Sequence, residues 1–182
     1  MLNLISKFFS TTKSDKALLR RNFSTYFYSL PEHRWIVEGH VARHFDALFS
    51  RLPSGVLEAL MSKYPVSFIQ SESLSALRTA GTPTTNSIVV FPEFQKLLRT
   101  SKKSAVAYLA HEIAFVLYEF EGHRSAGNRT DPLMAEIEAD KFVCDLGLTF
   151  ELEELLLMLD ETVEKRLRLT YLTINHFSTD VN

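Results

Sequence analysis

The sequence has a single cysteine, six glycines and six prolines. One cysteine excludes an intrachain disulfide, which favours a reducing compartment. The low glycine and proline content, with 46% hydrophobic residues, excludes a collagen-like or disordered chain. No apolar run approaches the roughly 20 residues that span a bilayer, and "MLNLISKFF" is too short for a secretory core. We therefore expect a folded cytoplasmic protein.

The chain also lacks a strong net charge, which is −2 with a pI of about 6.3, so its composition does not favour nucleic-acid binding. The charges are unevenly distributed. Residues 131–164 contain eleven acids and one base, whereas residues 1–28 are basic. We expect a basic segment over 1–28, followed by one domain over 29–182. The segment could contact a membrane surface weakly or form a helix packed on its own domain.

Hydrophobic spacing predicts mainly helices. A capping box at Ser29 and Glu32 introduces a predicted helix whose buried stripe ends at Leu52, and a shorter helix follows Ser54 and stops before Pro65. The stripe of the first helix consists of Val37, Val41, Phe45, Leu48 and Leu52. The spacing therefore places both helices against the core.

Further along, "PVSFIQS" and "NSIVVF" have the pattern of short strands. The segment 101–120 is apolar nearly all round, which predicts a central buried helix. Asp131 and Pro132 begin a helix that Gly147 ends. A last long helix is expected from Glu151, with a stripe of Leu155, Leu159, Val163, Leu167 and Ile174. The fold class is therefore α+β, mainly helical, with two or three strands.

Chemistry is concentrated in the central helix, where His111 and Glu112 stand in "LAHEIAFVLYE". Two histidines four residues apart can hold zinc, with the intervening glutamate beside the metal-bound water. Here Phe115 occupies the position of the second histidine. The later "EIEADKFVCDLG" places Glu136 and Asp140 on one helix face, which suits a third ligand and a carboxylate that orients the histidine.

These two motifs resemble the signature helices of gluzincin metallopeptidases, especially the HtpX-like and CAAX-prenyl-protease-like family, whose pattern is HExxH followed by ExxxD. The short interval between the helices is closer to the ImmA/IrrE-type regulatory peptidases, whose subsequent leucine/methionine motif is absent. The resemblance covers about residues 86–147, with weaker support from 65–71. It does not reach the first 60 residues, and the membrane spans of the HtpX-like enzymes are absent.

The resemblance implies a zincin-like domain with zinc ligands His111 and Glu136, general base Glu112, and Asp140 as the orienting carboxylate. It also implies that an extended peptide or protein ligand lies along the "NSIVVF" edge (Ile88, Val89, Val90), in a groove beside the His111 helix. Phenylalanine has no lone pair to donate, so the inherited site is one ligand short. The resulting hypothesis is an inactive pseudopeptidase without tightly bound zinc, acting as a binding or regulatory module.

Two alternatives remain open. The chain could be an active zinc peptidase with a substitute ligand, or one in which Phe115 was introduced on purpose. His123 reaches the site only if the helix breaks near Gly122, and His33, His40 and His44 form a separate stripe that could bind a metal. The other alternative is a scaffold protein that acts at a membrane surface through residues 1–28.

Overall fold

The computed structural model describes residues 13–38, 41–71, 86–100, 102–118 and 132–177. The chain divides into two compact units, Met1–Thr100 and Ser101–Asn182, and each unit is described by itself. The expected boundary at residue 28 falls one residue before the end of the first helix, which runs over Lys13–Ser29. The single domain over 29–182 stays a prediction.

The first unit contains five helices and two strands among its described residues. They are α1 (Lys13–Ser29), a 3-10 turn (Pro31–His33), α2 (Arg34–Glu38), α3 (Ala42–Phe49), α4 (Ser54–Ser62), β1 (Val66–Gln70), β2 (Asn86–Val90) and α5 (Pro92–Arg99). The α4 helix and both strands were predicted from the sequence and are confirmed.

Aromatic side chains form the core of this unit. Phe27 lies 4.9 Å from Phe49 and 5.4 Å from Phe45, measured between ring centroids, and Phe45 lies 5.1 Å from Phe68. Phe23 and Phe27 are 2% exposed, so the apolar face of α1 is buried. For residues 13–28 the basic segment is therefore a helix packed on its own unit, as one of the two interpretations expects.

The helix predicted to begin with a capping box at Ser29 is wrong in its extent. Ser29 ends α1, and its hydroxyl donates to the Tyr26 carbonyl at 2.7 Å instead of capping a new helix. The chain then passes through the 3-10 turn and α2 before α3 begins at Ala42. This break rotates Val37 out of the predicted stripe, and its side chain is 51% exposed.

The two strands pair in parallel, with Val66 opposite Asn86 and Gln70 opposite Val90. The outer edge of β1 is closed by side chains. The Phe68 N–H donates to His33 Nε2 at 2.8 Å, and Trp35 Nε1 donates to the Phe68 carbonyl at 2.9 Å. His33 and Trp35 therefore satisfy the N–H and the carbonyl of Phe68, which a third strand would otherwise pair with.

The second unit is helical over its described residues. It contains α6 (Ser104–Tyr118), α7 (Pro132–Asp145), α8 (Thr149–Met158), α9 (Val163–Leu172) and a π-helical turn (Thr173–Phe177). Helix α6 packs against α7 and α8, and α9 packs against α7 and α8. Eleven of the fifteen residues of α6 are buried, which confirms the central buried helix.

Helix α7 begins and ends where the sequence indicates. Pro132 is its first residue, and Gly147 follows it with a φ of 71°, the left-handed conformation that glycine adopts without steric cost. Cys144 near its end is buried, and burial raises the pKa of its thiol to about 11. The thiol is therefore protonated and behaves as a small apolar side chain.

The last helix, predicted as continuous from Glu151, is wrong in its continuity. Helix α8 ends at Met158, and α9 begins after Thr162, whose hydroxyl accepts the Lys165 N–H at 3.1 Å as an N-cap. The break changes the orientation of the helix that follows, so the face that was predicted to be buried is exposed. Val163, Leu167 and Ile174 are 72%, 46% and 63% exposed, whereas Lys165 and Arg168 are buried.

None of the helices in the described ranges is both long enough and apolar enough to cross a membrane.

Candidate functional site

The central site of the second unit lies where α6, α7 and α9 meet. Helix α6 contributes His111, and α7 contributes Glu136 and Asp140, which share a face because they are four residues apart. The structure therefore brings together the three residues that the motifs predicted to be neighbours. Contacts between their side chains join the three residues directly.

His111 lies between the two carboxylates. Its Nε2 is 3.0 Å from Glu136 Oε2, and its Nδ1 is 3.1 Å from Asp140 Oδ1. The Nδ1 atom is fully buried and makes no well-directed hydrogen bond among the described residues. Its contact with Asp140 is therefore mainly an electrostatic attraction. The residue is 7% exposed, and the carboxylates on both sides of the ring favour its protonated form.

Arg168 of α9 is the fourth member of the site, and the motifs did not indicate it. Its Nε and Nη2 donate to the two oxygens of Asp140 at 2.8 and 2.7 Å, which is a bidentate pair. Its Nη1 donates to Glu136 Oε2 at 2.7 Å. The guanidinium therefore binds both carboxylates, and it does so from a position that is 6% exposed.

The electrostatics of the site follow from these contacts. Burial by itself would lower the pKa of His111, but the adjacent Asp140 and Glu136 carboxylates outweigh it and raise the pKa to about 9. Burial likewise opposes ionisation of both carboxyls, yet His111 and Arg168 lower the pKa of Glu136 and of Asp140. At neutral pH two cations face two anions, so the buried charge is balanced.

Glu112 and Phe115 complete the motif on α6. Burial raises the pKa of Glu112, and its carboxyl has no hydrogen-bond or ion-pair partner within the described part of the chain. Phe115 is half-buried and offers no donor atom. Glu112, at the general-base position, is therefore held in an environment that disfavours its ionised form. Phe115, at the position of the second histidine, cannot bind a metal.

These residues do not fit a catalytic zinc site. Such a site takes three protein ligands and an open position, whereas His111 and Glu136 supply two. Glu136 Oε2, which lies 3.0 Å from His111 Nε2, already accepts from Arg168 at 2.7 Å, and a second cation beside that guanidinium would be repelled. In the described ranges, no group of three or more His, Cys, Asp and Glu side chains is arranged to hold a metal ion.

The other histidines predicted as alternative ligands fall into two groups. His40 and His123 lie outside the described residues. His33 accepts from Phe68 N–H through Nε2 and therefore donates to the Phe27 carbonyl through Nδ1, at 2.7 Å. Burial lowers the pKa of His33, which is consistent with a neutral ring whose two nitrogens are both used. His44 Nε2 lies 2.8 Å from the Thr100 carbonyl.

The strand edge predicted for a peptide ligand, Ile88–Val90, lies on β2 in the first unit. Asn86 N–H donates to the Pro65 carbonyl, and Ser71 N–H donates to the Val90 carbonyl. In a parallel ladder, alternate residues face the same neighbour, so residues 86, 88 and 90 pair with β1. The outward-facing backbone groups therefore belong to Ser87 and Val89.

The sequence pattern did not indicate Arg168, because the stripe predicted for one continuous helix contains the adjacent Leu167 instead. A signal of the break was present in "LDETVEK", where Asp160 and Glu161 interrupt the leucines and Thr162 is a favourable N-cap residue. Starting the helix at Val163 puts Arg168 on the same face as Lys165 and Leu172. It does not by itself show that this face meets Glu136 and Asp140.

No protein-family model, no curated protein and no solved structure matches this chain.

Proposed function

We propose that this chain is a zincin-like, non-catalytic protein in which Arg168 and protonated His111 take the place of a metal ion, and that it acts as a peptide- or protein-binding module. One observation carries the proposal: the Arg168 guanidinium donates to Glu136 and to both oxygens of Asp140. These are the residues that the zincin pattern assigns to the metal and to its orienting carboxylate.

The electrostatic argument supports this assignment. A zincin site gathers carboxylates around a divalent cation, and removal of that cation would leave buried negative charge that is costly unless it is paired. Arg168 and His111 supply two positive charges within 3.1 Å of the same carboxylates. The helices can then keep their packing while peptide hydrolysis is lost, because Glu112 has no metal-bound water to deprotonate.

Zinc titration tests the proposal. We expect the purified protein to bind less than stoichiometric zinc in calorimetry, and to show no zinc-dependent cleavage of an unstructured protein substrate such as casein. The single variant Phe115→His supplies the missing third ligand, and Arg168→Gln removes the guanidinium that occupies the carboxylates. The double variant makes both changes. The double variant should therefore bind zinc more tightly than either single variant, with Lys141→Gln as a control that removes a half-buried charge from the same helix α7.

Stoichiometric zinc in the unmodified protein, with cleavage that Glu112→Gln abolishes, would overturn the proposal in favour of an active peptidase. Unchanged zinc affinity in a double variant that circular dichroism shows to be folded would show that the helices do not carry a zincin geometry at all. The first result contradicts the loss of catalysis, and the second contradicts the zincin resemblance.

The binding part of the proposal rests on β2. Its outward backbone groups at Ser87 and Val89 have no partner in the described ranges, whereas His33 and Trp35 close the opposite edge at Phe68. An extended peptide adds to an open strand edge through main-chain hydrogen bonds. Among the described elements, β2 is therefore the edge that suits such a ligand.

A proline substitution tests this edge. Val89→Pro removes the outward N–H without removing a bond to β1, and proline is tolerated on edge strands. Val89→Thr keeps the N–H and is the matched control. On an array of extended synthetic peptides, we expect the unmodified protein and Val89→Thr to retain the same peptides and Val89→Pro to lose them. Equal retention by a folded Val89→Pro variant would exclude strand addition at β2.

A further inference from the structure

The first unit contains a second candidate site, a pocket of about 250 Å³ at the carboxyl ends of the two parallel strands. Ligands of parallel sheets commonly bind at this end. The volume is below the roughly 300–1,000 Å³ of pockets for drug-sized ligands, so it suits a molecule about as large as an amino acid. The lining residues are Trp35, Glu38, Val41, Gln70, Gln95 and Arg99.

Hydrogen bonds between the side-chain amides of Gln95 and Gln70 fix the orientation of Gln70 Oε1, a polar atom of the pocket. The Gln95 side chain is 9% exposed, and its Nε2 donates to the carbonyls of Ser71 at 2.6 Å and Val90 at 2.9 Å. Its Oε1 must then face the other way, where it accepts from Gln70 Nε2 at 2.7 Å. This leaves Gln70 Oε1 as an acceptor without a partner among the described residues.

Two charged side chains line the pocket, Glu38 and Arg99. Glu38 has a cationic partner outside the lining, since Arg34 Nε lies 2.7 Å from Glu38 Oε1 in an exposed pair. Arg99 is an exposed side chain in the last turn of α5, with no side-chain hydrogen bond or ion pair in the part of the chain that the structure describes. A base at this position stabilises its own helix, and the same guanidinium is also the ordinary partner of a carboxylate.

An apolar wall stands beside these polar groups. Trp35 is held in place by the bond from its Nε1 to the Phe68 carbonyl, and Val41 is 2% exposed. The indole ring therefore has a fixed orientation, which reduces the entropy lost when a ligand packs against it. The pocket combines a cation, a hydrogen-bond acceptor and an apolar surface.

We propose that this pocket binds an α-amino carboxylate. Arg99 holds the carboxylate, Gln70 Oε1 accepts an N–H from the neighbouring carbon's amino or amide group, and an apolar side chain packs against Trp35 and Val41. Free amino acids and the C-terminal residues of peptides both carry this group. The inference is independent of the proposed function, because it depends neither on the His111–Arg168 site of the second unit nor on the outer edge of β2.

Tryptophan fluorescence reads this pocket directly, because Trp35 is the only tryptophan in the chain. The full-length protein is titrated with leucine, N-acetylleucine and leucinamide up to millimolar concentrations. We expect a saturable change with a carboxylate and none with leucinamide. Tighter binding of N-acetylleucine identifies a peptide C-terminus, and tighter binding of leucine identifies a free amino acid. No saturable change, or equal binding of leucinamide, overturns the proposal.

Two variants on α5 locate the carboxylate. Arg99→Gln removes charge-assisted hydrogen bonds to the carboxylate, so the affinity should fall by about tenfold or more. Lys96→Gln removes an exposed base from the same helix but outside the pocket lining, and should bind as the unmodified protein does. Equal affinity in Arg99→Gln and Lys96→Gln would show that Arg99 does not hold the ligand.

Discussion

Replacing Arg168 by methionine should destabilise the second unit severely. Methionine keeps a flexible apolar stem of similar reach, so the variant removes the charge and the donors more than it removes packing. Asp140, which is 3% exposed, then loses its bidentate partner, and Glu136 loses its shortest contact. The unfolding free energy of this variant therefore measures how strongly the buried network stabilises the fold.

The magnitude follows from the contacts. Arg168 makes three hydrogen bonds to ionised carboxylates, and at about 1.5–3 kcal/mol each their simple sum is roughly 5–9 kcal/mol. The sum is an upper bound, because His111 remains within 3.1 Å of both carboxylates and still offsets part of their charge. Breaking a buried ion pair by removing one partner costs about 3–5 kcal/mol, and we expect a loss in that range.

Urea unfolding followed by far-ultraviolet circular dichroism gives the free energy. Arg166→Met is the matched control, since Arg166 is on the same helix, is 70% exposed and pairs with Glu161 at 2.6 Å. An exposed pair contributes about 0–1 kcal/mol. A loss in Arg168→Met no larger than in Arg166→Met would refute the buried network, because it would mean that water already solvates the carboxylates.

Three further outcomes can be measured in the same way. The pKa of His111 is raised from 6.5 to about 9, so its protonation stabilises the fold fully below pH 6.5, and up to about 3 kcal/mol is lost as pH rises through 9; a pH slope in this range that His111→Gln leaves unchanged would contradict this. Thr162→Ala removes the N-cap of α9 and should cost about 1 kcal/mol, with Thr170→Ala as an exposed control; equal effects of both would exclude a capping role. Gly147→Ala places a Cβ at a φ of 71° and should cost about 1–2 kcal/mol, whereas a stabilised variant would show that this turn is not left-handed in solution.

The predictability of the site differs from residue to residue. Local periodicity placed Glu136 and Asp140 on a common helix face and indicated that the His111 helix is buried. That this face meets His111 was predicted from the resemblance to metallopeptidase motifs, not from periodicity. Arg168 was not predicted, since its position depends on a four-residue break and on which helices the following segment packs against.

The same limit explains the errors in the fold. The predicted helices from Ser29 and from Glu151 were both continued through breaks, because apolar residues happened to recur at helical spacing across them. Val163 and Leu167 satisfy that spacing and are nevertheless exposed. Their neighbours Lys165 and Arg168 are buried because carbonyls at the end of α8 and the carboxylates of α7 bind them. The spacing of hydrophobic residues gives no information about such polar partners.

The sequence by itself determined the fold class, the central buried helix, the start and stop of α7, and the absence of a second histidine at Phe115. Each of these depends on residues within one or two helical turns, so local spacing and capping suffice. Only the tertiary structure decided that Arg168 joins Glu136 and Asp140, that His33 and Trp35 close one edge of the sheet, and that Trp35, Gln70 and Arg99 line one pocket. The hydrogen bonds among these residues join positions 28 to 35 apart, and what selects them is the pairing of buried charge and backbone groups, which no local pattern specifies.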